Sequence, residues 1–188
     1  DKSVINVGEN AVVAVELNQT INTSVAVKVN GKEYIVGIVN GKGSLNLSDL
    51  ANATYTINAT FKGDAKYLTN SSSTLTLKVN KVPTEIEVTV KTPITYGSDA
   101  VISIELNATI NTTVKLSVDG KLYDVAIVKG KGSFNASGLT SGKHEVNVTY
   151  AGDYKYLSSS NDTVSFDVVA AYLDASAIGL NVTVKEDG

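Results

Sequence analysis

Residues 114–135 read VKLSVDGKLYDVAIVKGKGSFN. Val114, Leu116 and Val118 alternate with polar residues, the period of a strand with one buried face. Asp119-Gly120 follows, a pair suited to the left-handed positions of a tight hairpin turn. Tyr123 to Val128 then returns along the first run, and Lys129-Gly130-Lys131-Gly132 turns again into Ser133 to Asn135. Two turns this close together leave no room for a helix, and no long segment elsewhere carries a helical period.

The same reading extends outward. Thr84 to Val90 places Ile86, Val88 and Val90 on one face; Ile102, Ile104 and Leu106 do the same in the next run. Val146, Val148 and Tyr150 form a later inward face, and Thr163 to Val169 closes the module. Short strands with turns every eight to twelve residues or so predict an all-β, immunoglobulin-like β-sandwich of about seven strands. A seven-stranded antiparallel barrel is the alternative.

Shifted by 89 residues, the chain matches itself without a gap, residues 1–80 lying on 90–169. VELNQTINTSV lies on IELNATINTTV, and FKGDAKYLTNSSST on YAGDYKYLSSSNDT. Such self-similarity marks repeated structural units. The expected organisation is a first module over 1–80, a second over 81–169, and a linker with a further strand over 170–188.

Composition narrows the function. The net charge is −3, with no basic footprint for nucleic acid. There is no apolar run long enough to span a membrane as a helix. The absence of cysteine excludes disulfides and thiolate metal sites. All 16 basic residues are lysine, which removes the bidentate guanidinium fork. The chain starts at Asp1 without a signal peptide, as expected for a mature product or part of something longer.

Asparagine precedes x-Ser or x-Thr at Asn18, Asn22, Asn46, Asn52, Asn58, Asn70, Asn107, Asn111, Asn135, Asn147, Asn161 and Asn181, twelve of seventeen asparagines. Ser and Thr make up roughly a fifth of the residues, so chance would give about three or four such sequons. The excess predicts N-glycosylation and an extracellular location. Asn58 and Thr60 fall on the strand face opposite Ile57 and Phe61, and Asn147 and Thr149 repeat the pattern, so a glycan there leaves the core alone.

Residues able to do chemistry are few. His144 is the only histidine; its repeat counterpart is Tyr55, and it reads as a strand-surface residue. The GKGS stretches at 41–44 and 130–133 lack a following helix and read as hairpin turns rather than phosphate loops. Asp64 and Asp153 sit in Gly-Asp turns kept in both copies; an Asx hydrogen bond explains them better than calcium, since no Asp-x-Asp-x-Asp-Gly spacing is present. Among aromatics, only Tyr67, Tyr154 and Tyr156 offer themselves as a sugar platform, and packing suits Tyr67 and Tyr156 better. No catalytic, metal or cofactor site is assigned.

The phrase formed by Tyr150, Gly152, Asp153, Tyr156 and Ser159 resembles the Ig-like repeats of large bacterial and archaeal surface proteins, and the Asn-, Thr-, Val- and Lys-rich composition is similar to that of adhesin-like proteins of methanogenic archaea. The first copy keeps Gly63, Asp64 and Tyr67 but carries Phe61 in place of Tyr150. The resemblance covers 1–169 and implies display in tandem arrays on a cell surface. Some sandwiches of this kind resemble pilins with Lys–Asn isopeptide crosslinks, which need an inward lysine; the assignable inward positions are apolar or tyrosine.

The second module opens with VPTEIEVTV, residues 82–90, and the first has no equivalent, because Asp1 already aligns with Val90. At the other end, Leu180 to Lys185 is similar to Ile86 to Lys91. Ile178, Leu180, Val182 and Val184 alternate as a donor strand would. One copy's tail completing the next copy's first module would give a head-to-tail filament held by strand addition. The expected function is therefore a non-enzymatic extracellular filament subunit partnered by copies of itself. The alternatives are a stalk segment of a tandem-repeat adhesin and an accessory binding module of a secreted enzyme.

Overall fold

The computed structural model describes residues 3–172 and Gly179. The described residues form strands and no helix. They divide into two compact units, one of residues 3–84 with Ala151–Ser159, the other of Glu85–Tyr150 with residues 160–172.

The first module contains β1 (Val4–Asn6), β2 (Ala11–Glu16), β3 (Thr23–Val29), β4 (Lys32–Ile38), β5 (Lys42–Leu47), β6 (Ala53–Phe61), β7 (Asn70–Ser71) and β8 (Leu75–Asn80). One sheet runs β1-β8-β6-β3-β4, with β7 added to β6; the other is the pair β2-β5. Ile5, Val15, Val27, Leu47, Ile57 and Val79 meet in one core, so both sheets bury a face against each other.

The second module repeats the plan with β9 (Ile86–Val90), β10 (Ile94–Thr95), β11 (Ala100–Leu106), β12 (Thr112–Val118), β13 (Lys121–Ile127), β14 (Lys131–Ala136), β15 (Gly142–Tyr150) and β16 (Ser159–Val169). Its sheets are β10-β16-β15-β12-β13 and β14-β11-β9. Each module is thus an immunoglobulin-like sandwich of two separate sheets, and not a closed barrel.

Local chemistry explains the corners. Asn30-Gly31 and Asp119-Gly120 join β3 to β4 and β12 to β13 with both residues at positive φ (46° and 84°; 50° and 84°). That is the turn whose twist matches a two-residue hairpin. In GKGS, Gly43 and Gly132 pass so close to neighbouring main chain that a Cβ would stand 2.5 Å from Gly37 O and 2.6 Å from Ala126 O.

Two features depart from the sequence reading. Strands β1 and β10 run parallel to β8 and β16, pairing Val4 with Lys78 and Ile94 with Val168. Segments of two or three residues carry no alternation to read. The second departure is His144, which is buried rather than at the strand surface. It occupies the inward position of Tyr55 and stacks on Phe166, ring centroids 5.2 Å apart. Its polar atoms are satisfied internally, which is what permits the burial.

Candidate functional site: an open sheet edge in the first module

The two modules differ at one sheet edge. In the second, β11 is paired on both sides. β14 lies along one edge and β9 along the other, with Ile102 opposite Val90, Ile104 opposite Val88 and Leu106 opposite Ile86. Ile86 and Val88 point inward and are buried, and beneath them Ile102, Ile104 and Leu106 are sealed from solvent.

In the first module β2 is the counterpart of β11. Among the described residues it pairs with β5 alone. The consequences appear in the side chains. Val13 and Leu17 are only half-buried, where Ile102 and Leu106 are sealed. Ala59 and Phe61 are half-buried as well, while their counterparts Val148 and Tyr150 are fully buried. The uncovered space is a groove of about 520 Å³ lined by β2, β6 and residues 67–75, including Val13, Val15, Leu17, Ile57, Phe61 and Leu75. Among the described residues Glu16 is the one charged residue along it, and that side chain is turned to Lys42, 2.9 Å away. An apolar trough beside an unpaired strand edge is a template for another strand.

The groove continues to the Gly-Asp turn. Gly63 adopts φ +83°, and a Cβ there would stand 2.9 Å from Thr69 N. Asp64 Oδ1 accepts the N–H groups of Lys66 (2.8 Å) and Tyr67 (2.7 Å). Asp153 does the same for Lys155 and Tyr156, both at 2.7 Å. These are Asx turns, which account for the paired aspartates without a bound ion.

The sequon asparagines sort by what their side chains do. Asn22 and Asn111 accept the N–H of Asn40 and Lys129 through Oδ1, each at 2.8 Å, steadying residues at positive φ. Asn52 and Asn161 instead donate through Nδ2 to Val79 O (2.7 Å) and Ile86 O (3.0 Å). Asn18, Asn46, Asn70, Asn107, Asn135 and Asn147 are exposed, and Asn58 is half-buried. Asn18, Asn58 and Asn70 line the groove. The sequon Asn181 and the strand residues Ile178, Leu180, Val182 and Val184 lie outside the described residues.

His144 is the one histidine, and its ring is held on both sides. Nδ1 lies 2.5 Å from Asp119 Oδ2 and Nε2 lies 2.8 Å from Thr140 O. Two acceptors favour the doubly protonated ring. The Thr140 carbonyl and then the Asp119 carboxylate raise the imidazole above its ordinary pKa against the opposing effect of burial. Burial pushes the Asp119 carboxyl up, but the Glu145 N–H and His144 outweigh it, and the net shift is down. Sequence alone missed this pair because Asp119 was fully accounted for by its turn. The pair is structural: both ring nitrogens are occupied.

Among the described residues no three His, Asp or Glu side chains gather as metal ligands. The described lysines are exposed or half-buried, so none sits in the core beside an asparagine. Tyr154 is exposed while Tyr67 and Tyr156 are half-buried; Tyr96 and Tyr172 are exposed aromatics that the sequence reading did not single out.

No protein-family model matches the chain, and no curated protein matches it. Among solved structures, the chain is similar to the fibronectin(III)-like modules of Clostridium thermocellum CbhA. The match covers 96% of this chain and 94% of that one, at 13% identity and a TM-score of 0.38. A likeness that loose decides nothing further, and the fold stands on the chain's own strand order.

Proposed function

We propose that this chain is a non-enzymatic, glycosylated, extracellular structural protein whose first module is completed by a β-strand from the C-terminal segment of another copy, linking copies head to tail. The observation that carries the reading is the edge of β2, unpaired among the described residues, above an apolar groove at the place where the second module holds its own β9. Main-chain hydrogen bonds along β2 supply continuity, and alternating apolar side chains supply register. The contact uses two different surfaces, so it propagates rather than closing on itself. The crowding of sequons on exposed positions supports the extracellular part of the reading.

Electron microscopy of the full chain beside a version ending at Val169 tests it. Filaments from the full chain and none from the shortened one are expected. Monomers from both would overturn the reading in favour of a second one, a stalk segment of a longer array, which the 89-residue repeat favours. In that case the strand on β2 comes from a preceding module of the same polypeptide.

A further inference from the structure

We propose that the acceptor is a two-part site that dictates one register: the incoming strand pairs parallel with the Gly-Asp turn at Lys66 and Leu68, then antiparallel with β2, and Leu180 of a second copy takes the place that Ile86 holds in the second module. The inference rests on the strand-donation reading above and adds to it the residues that hold the strand.

The template is the segment 82–90. It is held first by a turn. The Val82 N–H donates to Lys155 O and the Leu157 N–H donates to Val82 O, both at 2.8 Å, so that Val82 bridges Tyr156 in parallel. The buried Thr84 hydroxyl donates to Leu157 O at 2.9 Å. Next, the Glu85 N–H donates to Asn107 Oδ1 at 3.0 Å. From Ile86 onward the antiparallel ladder with β11 takes over.

The first module keeps the receiving groups. Lys66 and Leu68 stand for Lys155 and Leu157 on a turn built by the same Asx bonds, Asn18 stands for Asn107, and β2 stands for β11. Nothing covers them among the described residues: Leu68 is 91% exposed, against 47% for Leu157. One position differs. Thr84 lies 2.8 Å from Ser159 Oγ, and Asn70 replaces that serine.

The occupant follows from pattern. With Leu180 at the place of Ile86, Val182 falls opposite Val15, Val184 opposite Val13 and Thr183 opposite Ala14, by the pairing of β9 with β11. Gly179 then offers its N–H to Asn18, Ile178 takes the inward place of Thr84 beside Leu68 and Leu75, and Ser176 meets the turn. A slip of one residue would turn all four apolar side chains to solvent.

The chain has no cysteine, so disulfide trapping reads the register directly. Full-length chains carrying Ala14→Cys with Thr183→Cys, or Ala14→Cys with Asn181→Cys, are oxidised under assembly conditions and run on a non-reducing gel. Ala14 is exposed, so its substitution spares the core. A multimer ladder from the first pair, at least about tenfold more abundant than from the second, is expected, because cross-strand Cβ atoms are close only for directly opposed residues. Equal ladders, or none while the unsubstituted chain still forms filaments, would overturn the register and leave strand donation standing. A disulfide confined to monomers would overturn the second copy as donor. No disulfide together with a monomeric unsubstituted chain would overturn both readings. The parallel half is tested by Leu68→Pro, which deletes the N–H at an exposed site: the concentration needed for assembly should rise about tenfold, and an unchanged value would remove the turn from the site.

Discussion

Asn107 and Glu85 exchange two hydrogen bonds: the Glu85 N–H donates to Asn107 Oδ1 at 3.0 Å, and the Asn107 N–H donates to Glu85 O at 3.2 Å. The pair fastens the entry of β9 onto β11. The repeat counterpart of Asn107 is Asn18, which borders the open groove. One residue type therefore stands in both modules, and among the described residues a strand meets it in one of them. Asn107→Ala should lower the stability of the second module by about 1 kcal/mol, a typical side-chain hydrogen bond, as read by urea unfolding. Asn18→Ala should leave the unassembled chain's unfolding midpoint unchanged and weaken assembly instead. A loss of monomer stability equal to that of Asn107→Ala would show that Asn18 already has a partner.

The His144–Asp119 pair predicts a pH dependence with a built-in control. The folded imidazole holds its proton more tightly than the unfolded one, so its contribution is full below the unfolded value near 6.5 and is lost as pH rises through the raised folded value. The folded Asp119 carboxyl is shifted down, so its contribution is present above about 3.8 and lost as pH falls through its lowered value. The second module should therefore melt at a higher temperature at pH 5.5 than at pH 8.5. His144→Tyr, which copies Tyr55 of the first module, should remove that difference. Melting curves that move the other way, or do not respond to the substitution, would show that the ring is neutral in the fold.

Gly152 adopts φ +77°, and a Cβ there would lie 2.8 Å from Ser158 N and 2.9 Å from Tyr156 O. Both contacts are to main chain, which cannot rotate aside. Gly152→Ala should cost about 1–3 kcal/mol, again in urea. Gly120, with φ +84° but open space around its Cβ position, should tolerate alanine with a smaller loss of about 1 kcal/mol. Equal costs would mean that conformation, and not crowding, sets both.

Nδ2 carries the glycan of a glycosylated asparagine, so the side chains that already donate through Nδ2 are the poorer acceptors. Glycopeptide mass spectrometry of the native protein should find lower occupancy at Asn52 and Asn161, which donate to Val79 O and Ile86 O, than at Asn22 and Asn111, which bond through Oδ1. The reverse ranking would show that sugar is added without regard to these bonds.

Much of this architecture is legible because strands with one buried face write a period of two, and Asp119-Gly120 announces its turn. The open edge of β2 could be anticipated because the repeat supplies its own reference: residues 1–80 align with 90–169, and Ile86 to Val90 line β11 in the second copy. Less could be read where residues act singly. The strands at Val4–Asn6 and Ile94–Thr95 are too short to show a pattern. His144 looked outward because a lone polar residue is ordinarily solvated, and only the fold brings Asp119 and Thr140 to its two nitrogens. The Gly-Asp turn was visible as a motif, but its role as a pairing surface for the residues around Val82 emerges only from the main-chain bonds of Lys155 and Leu157.

If β2 receives a strand from another copy, its outer edge is protected in the assembly alone. Residue-resolved amide hydrogen exchange over Val13 to Leu17 tests it most directly, comparing the assembled full chain with a full chain held as monomer by Leu180→Asp and Val182→Asp. The amides of Ile102 to Leu106, covered by β9 in both samples, serve as the internal standard. Amides of β2 that point away from β5 should exchange slowly in the assembly and fast in the monomer, while the standard stays slow in both. Fast exchange along that edge in assembled chains would place the join elsewhere and rule out β2 as the acceptor.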